Sequence, residues 1–154
     1  MRRGLFIGRF QPFHIGHLSV LQTMDQDNEI DEIIIMIGSA DKSGTFDNPF
    51  SFEKRAEMIR SILIKKPFQI IALPDGQNHD KWFENLMSEL PEFSVVYTGS
   101  DSIKKLFSNF IIKTPSIKYK ISGTEIRVQI RKGQNWQKWV SKEVAKIISR
   151  SMLF

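Results

Sequence analysis

The chain has 154 residues, of which 41% are hydrophobic and 25% charged, so its composition excludes a disordered or fibrous protein and predicts one domain over residues 1–154. It contains no cysteine, which excludes disulfides and thiolate metal sites, and no apolar run approaches the ~20 residues of a membrane span, so we expect a cytoplasmic protein. Residues 1–101 hold 10 basic and 15 acidic side chains, whereas residues 102–154 hold 12 and 2, an asymmetry that predicts an anionic partner for the C-terminal third.

Strands and helices alternate in the predicted chain order. Continuous apolar runs, typical of parallel strands covered on both faces, predict strands at 5–7, 33–37, 68–73, 94–97 and 110–112. Helical spacing of apolar residues predicts helices at 18–24, 52–63, 82–90, 103–107, 125–132 and 140–148. The fold class is therefore α/β, a single Rossmann-like, doubly wound parallel sheet of about five strands with flanking helices. Ligands of such sheets bind at the carboxyl ends of the strands, which places the loops after Ile7, Ile37 and Tyr97 at the site.

The first strand-to-helix junction reads GRFQPFHIGH and carries His14 and His17. Free N–H groups at a helix N-terminus attract anions, and imidazoles three residues apart on one face can donate hydrogen bonds to phosphoryl oxygens. For the histidine pair alone, two other interpretations stay open. The two histidines are a chance pair on the surface, or they bind a metal, although the sequence shows no evident cluster of further metal ligands.

A second junction, ISGTEIR at 121–127, places two hydroxyls and a glycine before a helix that carries Arg127. Hydroxyls, main-chain N–H groups and a guanidinium together suit a phosphate. The alternative is an ordinary helix N-cap with a glutamate in the first turn.

In chain order, GRFQPFHIGH, IGSADKSGTFDNPFSFEKR and ISGTEIR resemble the nicotinamide mononucleotide adenylyltransferases of archaeal type, within the HxGH nucleotidyltransferase superfamily. The resemblance implies NAD biosynthesis: the AMP moiety of ATP passes to the 5′-phosphate of nicotinamide mononucleotide, giving NAD and pyrophosphate. It also implies Mg²⁺ on the ATP phosphates with no metal ligand from the protein, and a homo-oligomer, commonly a hexamer. No nucleic-acid or membrane partner is expected.

Site residues follow from the same resemblance. Those implied to be catalytic are His14, His17 and Arg127. Those implied to bind ATP are Gly8, Arg9, Phe10, His14, His17, Gly99, Ser122, Thr124 and Arg127. Those implied to bind the mononucleotide are Phe13, Gly38, Ser39 and Trp82, the last by stacking on the cationic nicotinamide ring. Core packing is the other interpretation of Trp82, and a solvated helix face is the other interpretation of Arg55, which matches a basic residue of the family.

The chain departs from the family pattern at Asp41, Gly44, Ser100 and Val128. The first three lie in loops near the substrates, and Asp41 adds negative charge where the mononucleotide is expected, which favours a metal or ribose contact there. Competing functions are another small HxGH nucleotidyltransferase with a different phosphorylated acceptor and a basic nucleic-acid-binding module. The string HIGH also occurs in class I aminoacyl-tRNA synthetases, but no KMSKS-like lysine loop accompanies it here.

Overall fold

Five strands form one parallel sheet in the computed structural model, which describes residues 1–75, 79–116 and 120–151. The strands are β1 (Arg3–Gly8), β2 (Glu32–Ile37), β3 (Phe68–Ala72), β4 (Val95–Tyr97) and β5 (Ile111–Lys113). The helices are α1 (Ile15–Gln26), α2 (Phe52–Arg60), α3 (His79–Glu89), α4 (Asp101–Leu106), α5 (Gly123–Arg131) and α6 (Lys142–Ser151), with a 3₁₀ turn at Gln137–Trp139. The predicted doubly wound α/β sheet is confirmed.

The strand order is β3-β2-β1-β4-β5, so the direction of winding reverses between β1 and β4. β1 and β2 pair in register from Arg3 opposite Glu32 to Gly8 opposite Ile37. The loops that leave β1, β2 and β4 therefore meet at one edge of the sheet, beside the reversal, where open α/β sheets bind ligands.

Alternate residues of β2 face opposite sides of the sheet and belong to two separate cores. Ile33, Ile35 and Ile37 pack with α1, α2 and α6, while Ile34 and Met36 pack with α3 and the residues around α4. Every residue of β2 is buried, as its unbroken apolar sequence predicts.

Polar groups fix the ends of two helices. Ser51 caps α2 as predicted, because its side chain accepts a hydrogen bond from the Lys54 main-chain N–H at 3.2 Å. α2 ends at Arg60, three residues before the predicted end, and Leu63 is 88% exposed, so the prediction that Leu63 joins the apolar stripe is wrong.

At the end of α1, Lys66 Nζ donates to three main-chain carbonyls, those of Met24, Asp25 and Asp27, at 2.8, 2.8 and 2.7 Å.

A polar cluster joins the end of α1 to β4 and β5. The Tyr97 hydroxyl donates to Asp27 at 2.5 Å, and Lys113 Nζ donates to the same carboxylate at 2.6 Å. Partial burial acts to raise the pKa of Asp27, but these hydrogen bonds outweigh it and lower that pKa to about 2. In the described ranges, no helix combines the length and the apolar character needed to cross a bilayer.

Candidate active site

Three adjoining cavities form a cleft at the carboxyl edge of the sheet. The histidine cavity, about 190 Å³, lies between the β1–α1 loop and the start of α5 and is lined by His14, His17 and Arg127 among others. The tryptophan cavity, about 520 Å³, is lined by residues that include Gly38 and Trp82, and the Gly99 cavity, about 260 Å³, lies beyond the end of β4.

Shared lining residues make the cleft continuous. Arg9 borders the histidine and tryptophan cavities, His14 and His17 border the histidine and Gly99 cavities, and Ser100 borders the tryptophan and Gly99 cavities. The loops that the sequence placed at the site are brought together, and the end of β1 lies at their common centre.

The two histidines begin α1 through a reciprocal pair of hydrogen bonds. His14 is the N-cap residue, and its Nδ1 accepts from the Gly16 N–H at 3.1 Å, while Nδ1 of His17 accepts from the His14 N–H at 3.1 Å. The rings stack with centroids 3.7 Å apart. Because Nδ1 is an acceptor in both rings, the proton of each neutral imidazole resides on Nε2, so each ring offers an Nε2–H donor.

Both histidines are neutral at pH 7. Burial lowers the pKa of His14 to about 4, and burial together with the nearby charge of His14 lowers the pKa of His17 well below its ordinary 6.5. The site therefore presents hydrogen-bond donors rather than two imidazolium cations. An anion placed against the rings would raise both pKa values and strengthen these hydrogen bonds.

Arg127 supplies a buried cation to the histidine cavity. Its side chain is 2% exposed, Nη1 donates to the Gln11 carbonyl at 2.9 Å and Nη2 donates to the Thr124 hydroxyl at 3.1 Å. Within the described residues, Nε has no partner. Gly123 allows this close packing, because a Cβ there would lie 3.1 Å from both Nη1 and the Gln11 carbonyl. Burial, and then the charge of Arg9, lower the pKa of Arg127.

Ser122 is an N-cap residue, as the alternative interpretation of its segment predicted. Its hydroxyl accepts from the Glu125 N–H at 3.2 Å, and the Glu125 carboxylate accepts from the Ser122 N–H at 3.2 Å, which is a capping box. The described lining of the histidine cavity includes Gly123 and Thr124 but not Ser122. The start of α5 therefore reaches the site mainly through its first two helical residues.

Phe10 and Phe13 lie in the core, each with 1% exposure. The Phe13 ring packs beside His17 at 5.4 Å between centroids, and its contact with a mononucleotide stays a prediction. Phe10 borders the histidine cavity and meets the His17 ring edge-on at 4.7 Å. Gly8 makes room for the Phe10 ring, since a Cβ there would come within 2.9 Å of it. These two phenylalanines thus support the His17 ring.

The tryptophan cavity contains Gly38, Ser39 and Trp82 as predicted, together with Asp75, which sequence reasoning missed. Trp82 is half-buried, packing against the core on one side and lining the cavity on the other. Its packing interpretation is therefore met, and its stacking on a nicotinamide ring stays a prediction. The Ser39 hydroxyl donates to Asp75 at 2.7 Å, in a linker-like stretch whose sequence carries no recognisable motif.

The departures from the family pattern have separate structural roles. Asp41 accepts a hydrogen bond from the Asp75 N–H at 3.0 Å, which is the main cause of its lowered pKa, so it orders a neighbouring loop. Gly44 has φ of +73° in an exposed turn. Ser100 caps α4 and lines the cleft beside Gly99, while Val128 is half-buried on α5.

Arg55 is fully buried, so its interpretation as part of a solvated helix face is wrong. Its guanidinium donates to main-chain carbonyls in the loops after β1 and β2. The helical spacing could have predicted this burial, because position 55 lies three residues after Phe52 and four before Ile59, on the apolar face of α2.

A doubly wound sheet with two helix N-termini and paired Nε2–H donors around one cavity has the architecture of a nucleotidyltransferase. The cytidylyltransferase-like family model matches residues 5–151, and the chain belongs to this family.

Two archaeal relatives illustrate the match. The chain is 38% identical to the nicotinamide-nucleotide adenylyltransferase of Methanocorpusculum labreanum, over 96% of this chain and 90% of that protein. It is 39% identical to the protein of the same name from Pyrococcus furiosus, over 96% of this chain and 83% of that protein.

Solved structures share the fold. A bifunctional NMN adenylyltransferase/ADP ribose pyrophosphatase from Francisella tularensis superposes with a TM-score of 0.80 at 25% identity, covering 96% of this chain and 49% of that one. The structure of its complex with AMP and a manganese ion gives a TM-score of 0.77 at 23% identity, covering 96% of this chain and 52% of that one. The chain spans about half the length of that bifunctional protein.

Proposed function

We infer that the protein is a nicotinamide-nucleotide adenylyltransferase, which transfers the AMP moiety of ATP to nicotinamide mononucleotide and forms NAD and pyrophosphate. Identity of about 38% to archaeal adenylyltransferases along nearly the whole chain supports this activity. The single structural observation that carries it is the meeting of three cavities at His14, His17 and Arg9, because a transfer between two nucleotides needs one phosphate cavity between two further cavities.

In the proposed arrangement, the adenosine occupies the Gly99 cavity and the mononucleotide occupies the tryptophan cavity, with its nicotinamide ring on Trp82. Gly38 and Ser39 lie beside the mononucleotide. The 5′-phosphate of the mononucleotide then approaches the α-phosphorus of ATP past Arg9, which borders the tryptophan cavity and the histidine cavity. The attacking oxygen is already anionic, so no protein base is required.

Transfer forms one P–O bond from the mononucleotide phosphate to the α-phosphorus and breaks the bond between the α-phosphorus and the pyrophosphate oxygen. Negative charge grows on the oxygens around the α-phosphorus and on the departing pyrophosphate. We assign the Nε2–H groups of His14 and His17 to the former, and Thr124 and Arg127, with the start of α5, to the latter. Donors fixed before the reaction stabilise such charge without reorganisation.

Gly8, Phe10 and Ser122 take supporting parts in this proposal. Phe10 lines the histidine cavity, and Gly8 gives room to the Phe10 ring and lines the tryptophan cavity. Ser122 holds the start of α5, with its hydroxyl proton still free to donate to a phosphate oxygen.

The proposed metal is Mg²⁺ bound to ATP as part of the substrate. Hard divalent cations prefer oxygen ligands, and we assign the triphosphate oxygens to this role. The manganese ion with AMP in the Francisella tularensis structure supports a divalent cation. A homo-oligomer remains a prediction, and light scattering after gel filtration would test it.

The direct test is incubation with ATP, MgCl₂ and nicotinamide mononucleotide, followed by enzymatic detection of NAD. NAD above a control without the protein is expected. Parallel reactions should contain nicotinate mononucleotide or phosphopantetheine as the acceptor. Transfer to phosphopantetheine but not to a pyridine mononucleotide would replace the proposal with a different nucleotidyltransferase, and no transfer to any acceptor would contradict it.

A further inference from the structure

Arg55 lies on α2, does not line any of the three cavities, and is 0% exposed. An arginine has five N–H donors in a rigid fork, and here all five are used by main-chain carbonyls. Nε donates to Ser51 at 3.2 Å, Nη1 to Arg9 at 2.9 Å and Gly38 at 2.7 Å, and Nη2 to Ser39 at 3.0 Å and Lys42 at 3.4 Å.

The charge of this guanidinium is stabilised without a direct ion pair in the described part of the chain. Burial, and then the charge of Arg9, lower the pKa of Arg55 to about 10, which still leaves it charged at pH 7. A buried charge is costly unless it is well hydrogen-bonded, so five carbonyls on one side chain indicate a specific structural task.

These carbonyls belong to two loops that line different parts of the cleft. The Arg9 carbonyl lies in the loop after β1, which borders the histidine cavity, and the Gly38 and Ser39 carbonyls lie in the loop after β2, which borders the tryptophan cavity. One planar group therefore fixes the spacing between these two loops.

The same two loops contain the only non-glycine residues with positive φ in the described ranges, Phe10 at +54° and Ser39 at +48°. Such conformations are strained and persist only where the surroundings hold them. Arg55 donates to the carbonyl of the peptide that joins Arg9 to Phe10 and to the Ser39 carbonyl itself. It thus holds both strained segments in place.

We propose that Arg55 is a positioning residue for the transfer step, holding the loops after β1 and β2 in register so that the mononucleotide phosphate faces the α-phosphorus of ATP. This inference rests on the proposed function. Arg55 does not touch substrate, because it is fully buried beneath the loops. Its removal should therefore impair alignment more than the binding of either substrate.

Arg55→Lys is the main test, because lysine keeps the positive charge but has three donors on one flexible nitrogen instead of a planar fork. We expect kcat to fall roughly 100-fold while the KM of either substrate changes by no more than about threefold, since small misplacements of reacting groups cost about this much. Arg60→Lys is the matched control, the same change at an exposed position of α2. It should behave as the parent protein does.

A second variant separates positioning from folding. Arg55→Ala leaves a space shaped for a guanidinium, so added methylguanidinium should restore part of kcat, whereas methylammonium should not. Hydrogen exchange should report faster exchange at residues 38–42 in both Arg55 variants than in Arg60→Lys.

Each contrary outcome is decisive. Parent-like kcat in Arg55→Lys would overturn the inference, as would unfolding of that variant, which would make Arg55 a stability residue. The absence of rescue by methylguanidinium in a folded Arg55→Ala protein would also overturn it. If neither the parent nor Arg60→Lys forms NAD, the proposed function itself fails and the inference fails with it.

Discussion

The main-chain N–H of His14 donates to Nδ1 of His17, so one hydrogen bond both begins α1 and orients the His17 ring. At the third helical position, His17 accepts the hydrogen bond that a glutamate or glutamine usually accepts in a capping box. Because this bond occupies Nδ1, it directs the Nε2–H of His17 toward the cavity.

Replacement of His17 can therefore separate the cap from the catalysis. His17→Gln restores the usual capping residue, so its stability should match the parent, whereas His17→Ala should lose about 1 kcal/mol of unfolding free energy. Both variants should lose roughly 100-fold or more in kcat, because a donor to the transition state is gone. Urea unfolding and NAD assays on the same samples check both expectations. Parent-like turnover in His17→Gln would place the reacting phosphates elsewhere.

Stability should fall as the pH is lowered from about 6.5 toward 4. The folded pKa of His14, about 4, lies below its unfolded value of 6.5, so the unfolded chain binds more protons in this window. The stabilisation is complete above pH 6.5 and declines by at most about 1.4 kcal/mol per pH unit for each such histidine.

His14→Asn is the control for this window, since asparagine is a strong N-cap and does not titrate. Urea unfolding at pH 7.5 and pH 5.0 should show a smaller difference for His14→Asn than for the parent. Asp27 does not affect the comparison, because the stabilisation from its lowered pKa of about 2 is lost only below about pH 5 and equally in both proteins. Equal pH dependence in both proteins would contradict neutral, buried histidines.

Stacking on Trp82 predicts a change in fluorescence. Addition of nicotinamide mononucleotide should quench the tryptophan fluorescence of the parent protein. This quenching should be absent in Trp82→Phe, which keeps an aromatic face but removes the indole. Trp82→Ala should raise the KM for the mononucleotide by about fivefold with little effect on the KM for ATP, because an aromatic–cation contact contributes on the order of 1 kcal/mol. Equal quenching in the parent and Trp82→Phe would assign the signal to another tryptophan.

Lys66 offers a change in stability that leaves the chemistry intact. Its three hydrogen bonds to carbonyls at the end of α1 should make Lys66→Met about 1–2 kcal/mol less stable. The neighbouring Lys65→Met, at an exposed position, is the matched control and should be nearly neutral. Thermal unfolding measures both, and kcat at 25 °C should not change. A loss of kcat in Lys66→Met would show that the far end of α1 affects the site.

Sequence reasoning predicted the strands and the loops of the site because apolar runs and glycine-rich junctions are local signals. It left Arg55 open between a basic residue of the family pattern and a solvated helix face, because spacing alone cannot show which charged side chain finds carbonyl partners. The burial of Arg55 depends on contacts between segments far apart in the chain. The charge excess after residue 101 indicated an anionic ligand but not its place, since Arg9 and both histidines lie in the acidic segment.

The neutral, stacked histidine rings give substrate binding and folding opposite responses to acid. Protons destabilise the folded protein because its rings resist charging, whereas in the proposed arrangement a triphosphate against the rings would raise their affinity for protons. Proton uptake and nucleotide binding would then be linked, so the affinity for ATP should increase over the same range of pH in which the fold without nucleotide weakens. The negative charge of the nucleotide would thus be what allows these buried rings to become protonated.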